Sequence, residues 1–347
     1  MSGVLDQSLH ELWTSTYENQ QGTFNIKISE TQHKELSSFH ILYNPSGPNS
    51  PSPITNTTFS NFDDSLAKLT HDYQVICWVD FDNEEICQEK PSEEAKEICD
   101  EEVADSYHPL YITPTPWVRN QCFLALFPEE CLPQAVSTEL LTLAMNIFRL
   151  SKNPSLRLGY DSLGANSDVN HLHFNVVFAE NFGGFPVEKV QRNLLIESSL
   201  QHKNADEINM FSVGVRLYEL EYPAKCLMIC PSVEINEGNM SDGTESVGNV
   251  TGMVVNQLIE SNVPHSIMIN GDKLEVYVFP RAFQNDFTVG KASFLDFSGV
   301  ICTCKEEFFD GADEGQCAKY LESLSADNEI WNQTISYITK LLGKLYN

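Results

Sequence analysis

The stretch His171-Leu172-His173-Phe174-Asn175 alternates polar and apolar side chains over five positions. Successive side chains of a β-strand project to opposite faces of its sheet. We therefore expect both histidines and the asparagine to lie on one surface, while Leu172 and Phe174 pack into the core behind it. The pattern predicts a strand that presents a pair of imidazoles.

A pair of imidazoles on one strand suits covalent nucleotidyl transfer. One imidazole attacks the phosphorus, and its second ring nitrogen must keep a proton that an acceptor holds. The neighbouring histidine and the amide can hydrogen-bond phosphate oxygens as charge shifts during the reaction. The turn Asp161-Ser162-Leu163-Gly164, just upstream, can add backbone N–H groups to the same phosphates.

Two other interpretations of the histidine pair stay open at this point. The pair could ligate a metal, although two ligands are insufficient and the spacing indicates no third. The histidines could also be incidental surface or core residues. The ten cysteines lack the paired C-x-x-C spacing of zinc sites, so we expect neither a metal nor another cofactor.

Composition excludes several classes of function. The net charge of −28 repels nucleic acid and anionic membranes at long range. No apolar run reaches the roughly 18 to 20 residues of a membrane helix, and residues 1–20 lack the pattern of a secretory signal. We therefore expect a cytoplasmic protein without a nucleic-acid or membrane partner. No arginine precedes Arg119, so the first third of the chain offers a phosphorylated ligand few cations.

The alternation of predicted strands and helices favours an α+β fold, with a mixed sheet and packed helices. We expect an N-terminal segment at residues 1–20, a first lobe at 21–202 with an acidic loop at 82–105, and a second lobe at 203–347. A helix, an Asn/Pro stop, a strand and a Gly-containing turn occur twice, which suggests a degenerate internal repeat. The finer pattern predicts helices at 134–151, 186–201 and 250–262 and a polar loop at 236–249.

Several segments together resemble the GDP-hexose phosphorylase family, the GDP-D-glucose and GDP-L-galactose phosphorylases of the histidine-triad superfamily. The resemblance covers roughly residues 20–345, and the combined motif is more specific than any of its pieces. The matching segments include Cys131-Leu-Pro-Gln134, Arg157-Leu-Gly-Tyr-Asp-Ser-Leu-Gly-Ala165, Asn170-His-Leu-His-Phe-Asn175, Phe185-Pro-Val-Glu188, Val263-Pro-His-Ser-Ile-Met-Ile-Asn270 and Val278-Phe-Pro-Arg281.

The resemblance implies a histidine-triad fold and a phosphorolysis in which a GDP-hexose and inorganic phosphate give GDP and hexose 1-phosphate. By this resemblance His173 is the nucleophile that becomes guanylylated, and His171 and Asn175 orient it and bind the phosphates. The other residues implied at the nucleotide and its phosphates are Asp161, Ser162, Gly164 and Asn170.

The departures from the family pattern cluster at the expected chemistry. Asn175 stands where the family has Gln, and Asp161 stands where it has Asn, so we expect the carboxylate to repel phosphate. Losing one contact to a transition state can cost about 10²–10³ in rate. Two alternatives therefore accompany the phosphorylase hypothesis. One is a catalytically impaired homologue that acts as a binding or scaffold protein with a protein partner; the other is a nucleotide-sugar hydrolase.

Overall fold

The computed structural model describes residues 4–19, 27–48, 74–90, 107–165, 167, 171–197, 213–236, 238–284 and 288–345. The described helices are α1 Val4–Asn19, α2 Thr138–Met145, α3 Ile147–Leu150, α4 Met240–Glu260, α5 Phe294–Phe297, α6 Glu306–Gly311, α7 Glu314–Leu324 and α8 Asn328–Leu345. The described strands are β1 Gln32–Glu35, β2 His40–Tyr43, β3 Val75–Asp80, β4 Glu85–Cys87, β5 Tyr107–Ile112, β6 Cys122–Ala125, β7 Leu156–Asp161, β8 His173–Phe178, β9 Arg192–Glu197, β10 Val215–Leu220, β11 Leu227–Pro231, β12 His265–Asn270, β13 Glu275–Pro280 and β14 Val300–Thr303.

Eleven of these strands form one antiparallel sheet, in the order β4-β3-β5-β6-β8-β7-β12-β13-β11-β10-β9. A second sheet has the order β1-β2-β14, and its β2 and β14 run parallel. The expected α+β class is confirmed. The histidine strand β8 lies near the centre of the large sheet, where both of its edges are hydrogen-bonded.

The strands on the two sides of the contact between β7 and β12 follow the same order. Outward from that contact, β7-β8-β6-β5-β3 on one side mirrors β12-β13-β11-β10-β9 on the other. The innermost strand on each side follows helical structure: α2 and α3 precede β7, and α4 precedes β12. Helices α2 and α4 pack together. We propose that the two halves are repeats related by an approximate two-fold axis, with β9 opening the second. The expected boundary at 202/203 lies outside the described residues.

Each face of the large sheet buries its own apolar cluster. Helices α1, α2, α4 and α8 cover one face, where Leu172, Phe174 and Val176 are fully buried. The three-stranded sheet and α5 cover the other face. Val177 of β8 and Phe279 of β13 are buried on that face. Full burial of a side chain such as Phe174 contributes about 1.5–3 kcal/mol. The predicted alternation is confirmed from His173 onward, where β8 begins. His171 and Leu172 precede the strand, and the expectation that both histidines lie on one surface is wrong, because the His171 side chain is fully buried.

The acidic loop expected at 82–105 is described only as far as residue 90, and residues 85–87 of it form the edge strand β4. Among the described helices, none combines the length and the apolar composition needed to cross a membrane.

Candidate active site

His173 begins β8 and points to the sheet face opposite Phe174. It lines a cavity together with Asn175, two positions further along the strand, and Phe123 from the neighbouring β6. The Phe123 ring meets the imidazole edge-on, with 5.4 Å between the ring centroids. The strand period thus brings His173 and Asn175 to one surface, as the alternation predicted.

The hydrogen bond made by the His173 ring selects its tautomer. Nδ1 lies 2.7 Å from the backbone carbonyl oxygen of His171. A carbonyl can only accept a hydrogen bond, so Nδ1 carries the proton and the lone pair of the neutral ring is on Nε2. A nucleophilic imidazole needs this arrangement, with one nitrogen held by an acceptor and the other basic.

Gln134 clamps the backbone around His173. Its side-chain oxygen accepts the N–H of His173 at 2.9 Å. Its amide nitrogen donates to the carbonyl oxygens of Asp161 and His173, at 3.0 and 3.1 Å. Because Gln134 is fully buried, these bonds are shielded from water and hold the ends of β7 and β8 in register.

The cavity beside His173 is small and bounded by aromatic rings. Its volume is about 70 Å³, and Trp117 and Phe294 form other parts of its wall. Pockets that enclose a whole ligand usually measure about 300–1,000 Å³. This cavity can therefore receive only one small group of a larger ligand.

Gly159 allows Phe294 to reach this wall. Gly159 lies on β7 opposite Asn175 of β8. A Cβ atom at position 159 would lie 2.2 Å from ring atoms of Phe294, closer than any real contact permits. The glycine in a fully buried strand is therefore explained by the close approach of this ring.

Asp161 ends β7 at the edge of the cavity, and its carboxylate is held by three groups. Oδ1 accepts a hydrogen bond from Ser266 Oγ at 2.6 Å and lies 3.6 Å from Nη1 of Arg281. Oδ2 accepts the N–H of Phe294 at 3.1 Å. Burial raises the pKa of Asp161, while Arg281 and the hydrogen bonds oppose that rise. The repulsion of phosphate expected from this carboxylate is thus countered by a buried cation.

The other residues implied at the site lie in different places. His171 is fully buried and presents its carbonyl oxygen to His173, and it does not line the cavity. Ser162 is also buried, and its hydroxyl accepts the backbone N–H of His265. Gly164 occupies the turn with φ +73°, away from the cavity wall. Asn170 lies outside the described residues.

Lys291 is a cavity residue that the sequence did not indicate. It precedes α5, lines the cavity with His173, and its charge acts on Asp161. The first third of the chain is poor in cations, and the fold brings Lys291 to the cavity from the second half. Arg119 is exposed and does not line the cavity.

Asp296 supports the cavity wall from the first turn of α5. Its Oδ2 accepts the backbone N–H of Ser293 at 2.8 Å, and its Oδ1 accepts that of Cys302 at 3.2 Å. Complete burial raises the pKa of Asp296 to about 7, against the lowering effect of these hydrogen bonds. The carboxyl that accepts hydrogen bonds at the start of α5, next to Phe294, therefore has a pKa near neutrality.

We expect the stability advantage of the wild type over Asp296→Asn to fall as the pH rises from about 4 to about 7. In this window the folded chain keeps a proton on Asp296 that the unfolded chain has released, because the ordinary pKa is 3.8. The free energy of unfolding then decreases with pH, by at most about 1.4 kcal/mol per pH unit. Asparagine does not titrate, so urea denaturation of both proteins over this range isolates the effect. A difference that is independent of pH would mean that Asp296 stays ionised in the folded protein.

Within the described residues, no group of three or more His, Cys, Asp or Glu side chains is arranged to hold a metal ion. The described cysteines are free thiols.

Two family models match the chain. The model "GDPGP1-like, N-terminal domain" matches residues 4–177, and "GDPGP1-like, C-terminal domain" matches residues 199–345. GDP-L-galactose phosphorylase 2 of Arabidopsis thaliana is 27% identical over 227 residues, which are 62% of this chain and 47% of that protein. GDP-D-glucose phosphorylase 1 of Xenopus laevis is 25% identical over 231 residues, which are 62% of this chain and 52% of that protein. The chain thus spans about half the length of the curated relatives it matches.

The fold is also similar to that of a solved enzyme. The crystal structure of yeast Ap4A phosphorylase Apa2 superimposes with a TM-score of 0.52 at 13% sequence identity, covering 94% of this chain and 95% of that one. At this identity the similarity concerns the fold, which is of the histidine-triad type.

Proposed function

The chain belongs to the GDPGP1-like family, and from this membership we propose that it catalyses the phosphorolysis of a GDP-hexose to GDP and hexose 1-phosphate. The observation that carries the proposal is the 2.7 Å contact between His173 Nδ1 and the His171 carbonyl oxygen. The contact places a proton on Nδ1, so that in the neutral ring the lone pair lies on Nε2 of a residue that lines the cavity.

The reaction proceeds in two displacements at one phosphorus atom. In the first, the Nε2 lone pair of His173 attacks the α-phosphorus of the GDP-hexose. The bond from that phosphorus to the bridging oxygen breaks, and its electrons leave with hexose 1-phosphate. In the second, an oxygen of inorganic phosphate attacks the guanylylated histidine, the P–N bond breaks, and GDP forms. The His171 carbonyl stabilises the positive charge that the ring carries between the two steps.

Lys291 and Asn175 are the residues that face the phosphate oxygens in this proposal. Phosphoryl transfer depends mainly on positioning and on electrostatic stabilisation of the transferring group. Lys291 supplies a positive charge and Asn175 an amide on the same cavity wall. Arg281 lies against Asp161 and, together with Lys291, offsets the negative charge of that carboxylate at the edge of the cavity.

Replacing Lys291 by glutamine is expected to lower kcat/KM for a GDP-hexose by about 10²-fold, the scale seen when one electrostatic contact to a transition state is removed. Lys291→Arg should keep part of the activity, because it keeps the charge. Steady-state kinetics over a range of salt concentrations provide the measurement.

Lys319→Gln is the matched control, because Lys319 is an exposed cation on α7 outside the cavity. Its kinetics should equal those of the wild type. Equal activity of Lys291→Gln and the wild type would contradict a role of Lys291 at the phosphate.

The acceptor can be identified from the nucleotide that is released. We expect GDP-glucose or GDP-galactose to yield GDP only when inorganic phosphate is present. Release of GMP at a rate that ignores phosphate would instead identify a hydrolase. If neither sugar nucleotide leaves a guanylyl adduct and GDP gives no thermal shift, both the phosphorolysis and the hydrolysis are excluded and the proposal fails.

A further inference from the structure

Lys291 lies in a segment without regular secondary structure. Residues 288–293, here called the lysine segment, lead into α5, and none of them belongs to a helix or a strand. Such a backbone has no ladder of hydrogen bonds of its own, so its buried N–H and C=O groups need partners from elsewhere. The position of the Lys291 ammonium at the cavity therefore depends on the groups that hold this segment.

The buried amide of Gln284 holds the lysine segment on both sides of Lys291. Its Nε2 donates to the Gly290 carbonyl oxygen at 2.7 Å, and its Oε1 accepts the backbone N–H of Ala292 at 3.0 Å. These two groups belong to the peptide units that flank the Lys291 Cα atom. Because peptide units are planar, fixing both of them also fixes the direction in which the lysine side chain leaves the backbone.

Strand β14 holds the same segment from a second side. The hydroxyl of Thr303 donates to the Val289 carbonyl oxygen. Gly290 lets the segment lie close to the strand, because a Cβ atom there would be 3.0 Å from the Cys302 carbonyl oxygen. Both Gln284 and Thr303 are buried, so water competes little for their bonds. The lysine segment is thus fastened to the core just before and just after Lys291.

The arrangement at Lys291 resembles that at His173. There the buried amide of Gln134 binds the N–H and the carbonyl oxygen of the histidine itself. Neither Gln134 nor Gln284 lines the cavity. Each glutamine therefore acts on the cavity only through the residue whose backbone it holds.

We propose that Gln284 is a positioning residue that holds the Lys291 ammonium in place at the cavity beside His173. Displacing a group by about 1 Å can lower a rate by about 10²-fold, so a side chain that never touches the substrate can control the reaction. The kinetic consequence rests on the phosphorolysis proposed above, whereas the clamp itself can be tested without any reaction.

The rate of trypsin cleavage after Lys291 measures the clamp, because the protease needs the segment to open locally. Gln284→Met keeps the length of the side chain and removes both hydrogen bonds. We expect cleavage at this site, mapped by mass spectrometry, to become about tenfold faster, the factor for a net loss of about one hydrogen bond. Ser246→Ala is the control, since its buried hydroxyl accepts the Val213 N–H at 3.1 Å and lies outside the cavity wall. An unchanged rate in Gln284→Met would mean that Gln284 does not hold Lys291.

A double-mutant cycle with Lys291→Gln separates positioning from a purely structural role. Gln284→Met should lower kcat/KM for GDP-glucose by about 10- to 100-fold in the wild type. In Lys291→Gln it should lower kcat/KM less than about twofold, since its effect passes through the ammonium. Equal losses in the two backgrounds would mean that Gln284 only supports the fold, and the proposal would be wrong.

Two further arms keep the outcome decisive. Thr303→Val keeps the volume of the side chain and removes the bond to Val289, so it repeats both measurements if Gln284→Met does not fold. A wild type that forms no guanylyl adduct would remove the proposed phosphorolysis, while the trypsin rate would still decide whether Gln284 holds Lys291.

Discussion

Replacing His173 by alanine is expected to abolish formation of the guanylyl adduct and to lower the rate of phosphorolysis by at least about 10⁴-fold. Removing the nucleophile of a covalent mechanism removes the intermediate itself, and such losses are among the largest measured for single residues. Intact-protein mass spectrometry after incubation with GDP-glucose, without phosphate, should show one added guanylate on the wild type and none on His173→Ala.

The fold should survive this substitution. His173 lies on the cavity side of β8, and its neighbour Phe174 makes the core contacts. The clamp from Gln134 uses the backbone of residue 173, so alanine keeps it. His173→Ala should therefore still show a thermal shift with GDP.

The matched control is His10→Ala, which removes an exposed histidine of α1. It should form the adduct as the wild type does. An adduct that persists in His173→Ala would assign the nucleophile to another residue, and an adduct absent from both variants and the wild type would remove the covalent mechanism.

The sequence predicted the histidine strand well because the signal is local. Each residue of a strand faces away from its neighbours, so the burial of Phe174 behind His173 follows from alternation alone. His171 lies before β8 and is itself buried, which alternation did not predict. The cavity could not be predicted in the same way. Lys291 and Phe294 reach it from more than 100 residues along the chain, and no local pattern marks their approach.

Two predicted elements were wrong for a physical reason that can be named. The polar loop at 236–249 is helical from Met240, since α4 runs to Glu260. Glycine lowers helix propensity by about 1 kcal/mol, which conceals this helix in the sequence. Gly248 serves packing instead, because a Cβ there would lie 2.3 Å from Thr142 Oγ1 of α2.

The helix predicted at 186–201 was also wrong. Residues 186–189 form a 3₁₀ turn, and residues 192–197 form β9. This strand pairs with β10, and a contact between separate segments leaves no local pattern in the sequence of residues 192–197. Helix α1 was not predicted, although Leu5, Leu9 and Trp13 follow a four-residue spacing and are buried.

Restoring the family residue at position 161, with Asp161→Asn, is expected to destabilise the protein by about 3–5 kcal/mol rather than to improve catalysis. The sequence alone suggests the opposite, because asparagine would remove a negative charge near the phosphate. In the structure that charge faces Arg281, whose side chain is fully buried. Removing one partner of a buried ion pair leaves an uncompensated charge, and its cost is in this range. Urea denaturation monitored by fluorescence provides the free energy of unfolding.

Asn175→Gln is the control for this argument, since it restores the other family residue without touching an ion pair. Its added methylene extends into the cavity, and we expect a change in stability below about 1.5 kcal/mol. The double variant Asp161→Asn/Arg281→Met should recover much of the stability lost by Asp161→Asn, because replacing both partners of a buried pair by apolar or neutral groups is often tolerated. If Asp161→Asn were as stable as the wild type and the double variant less stable, Arg281 would not depend on Asp161, and the carboxylate would again be a charge that opposes phosphate binding.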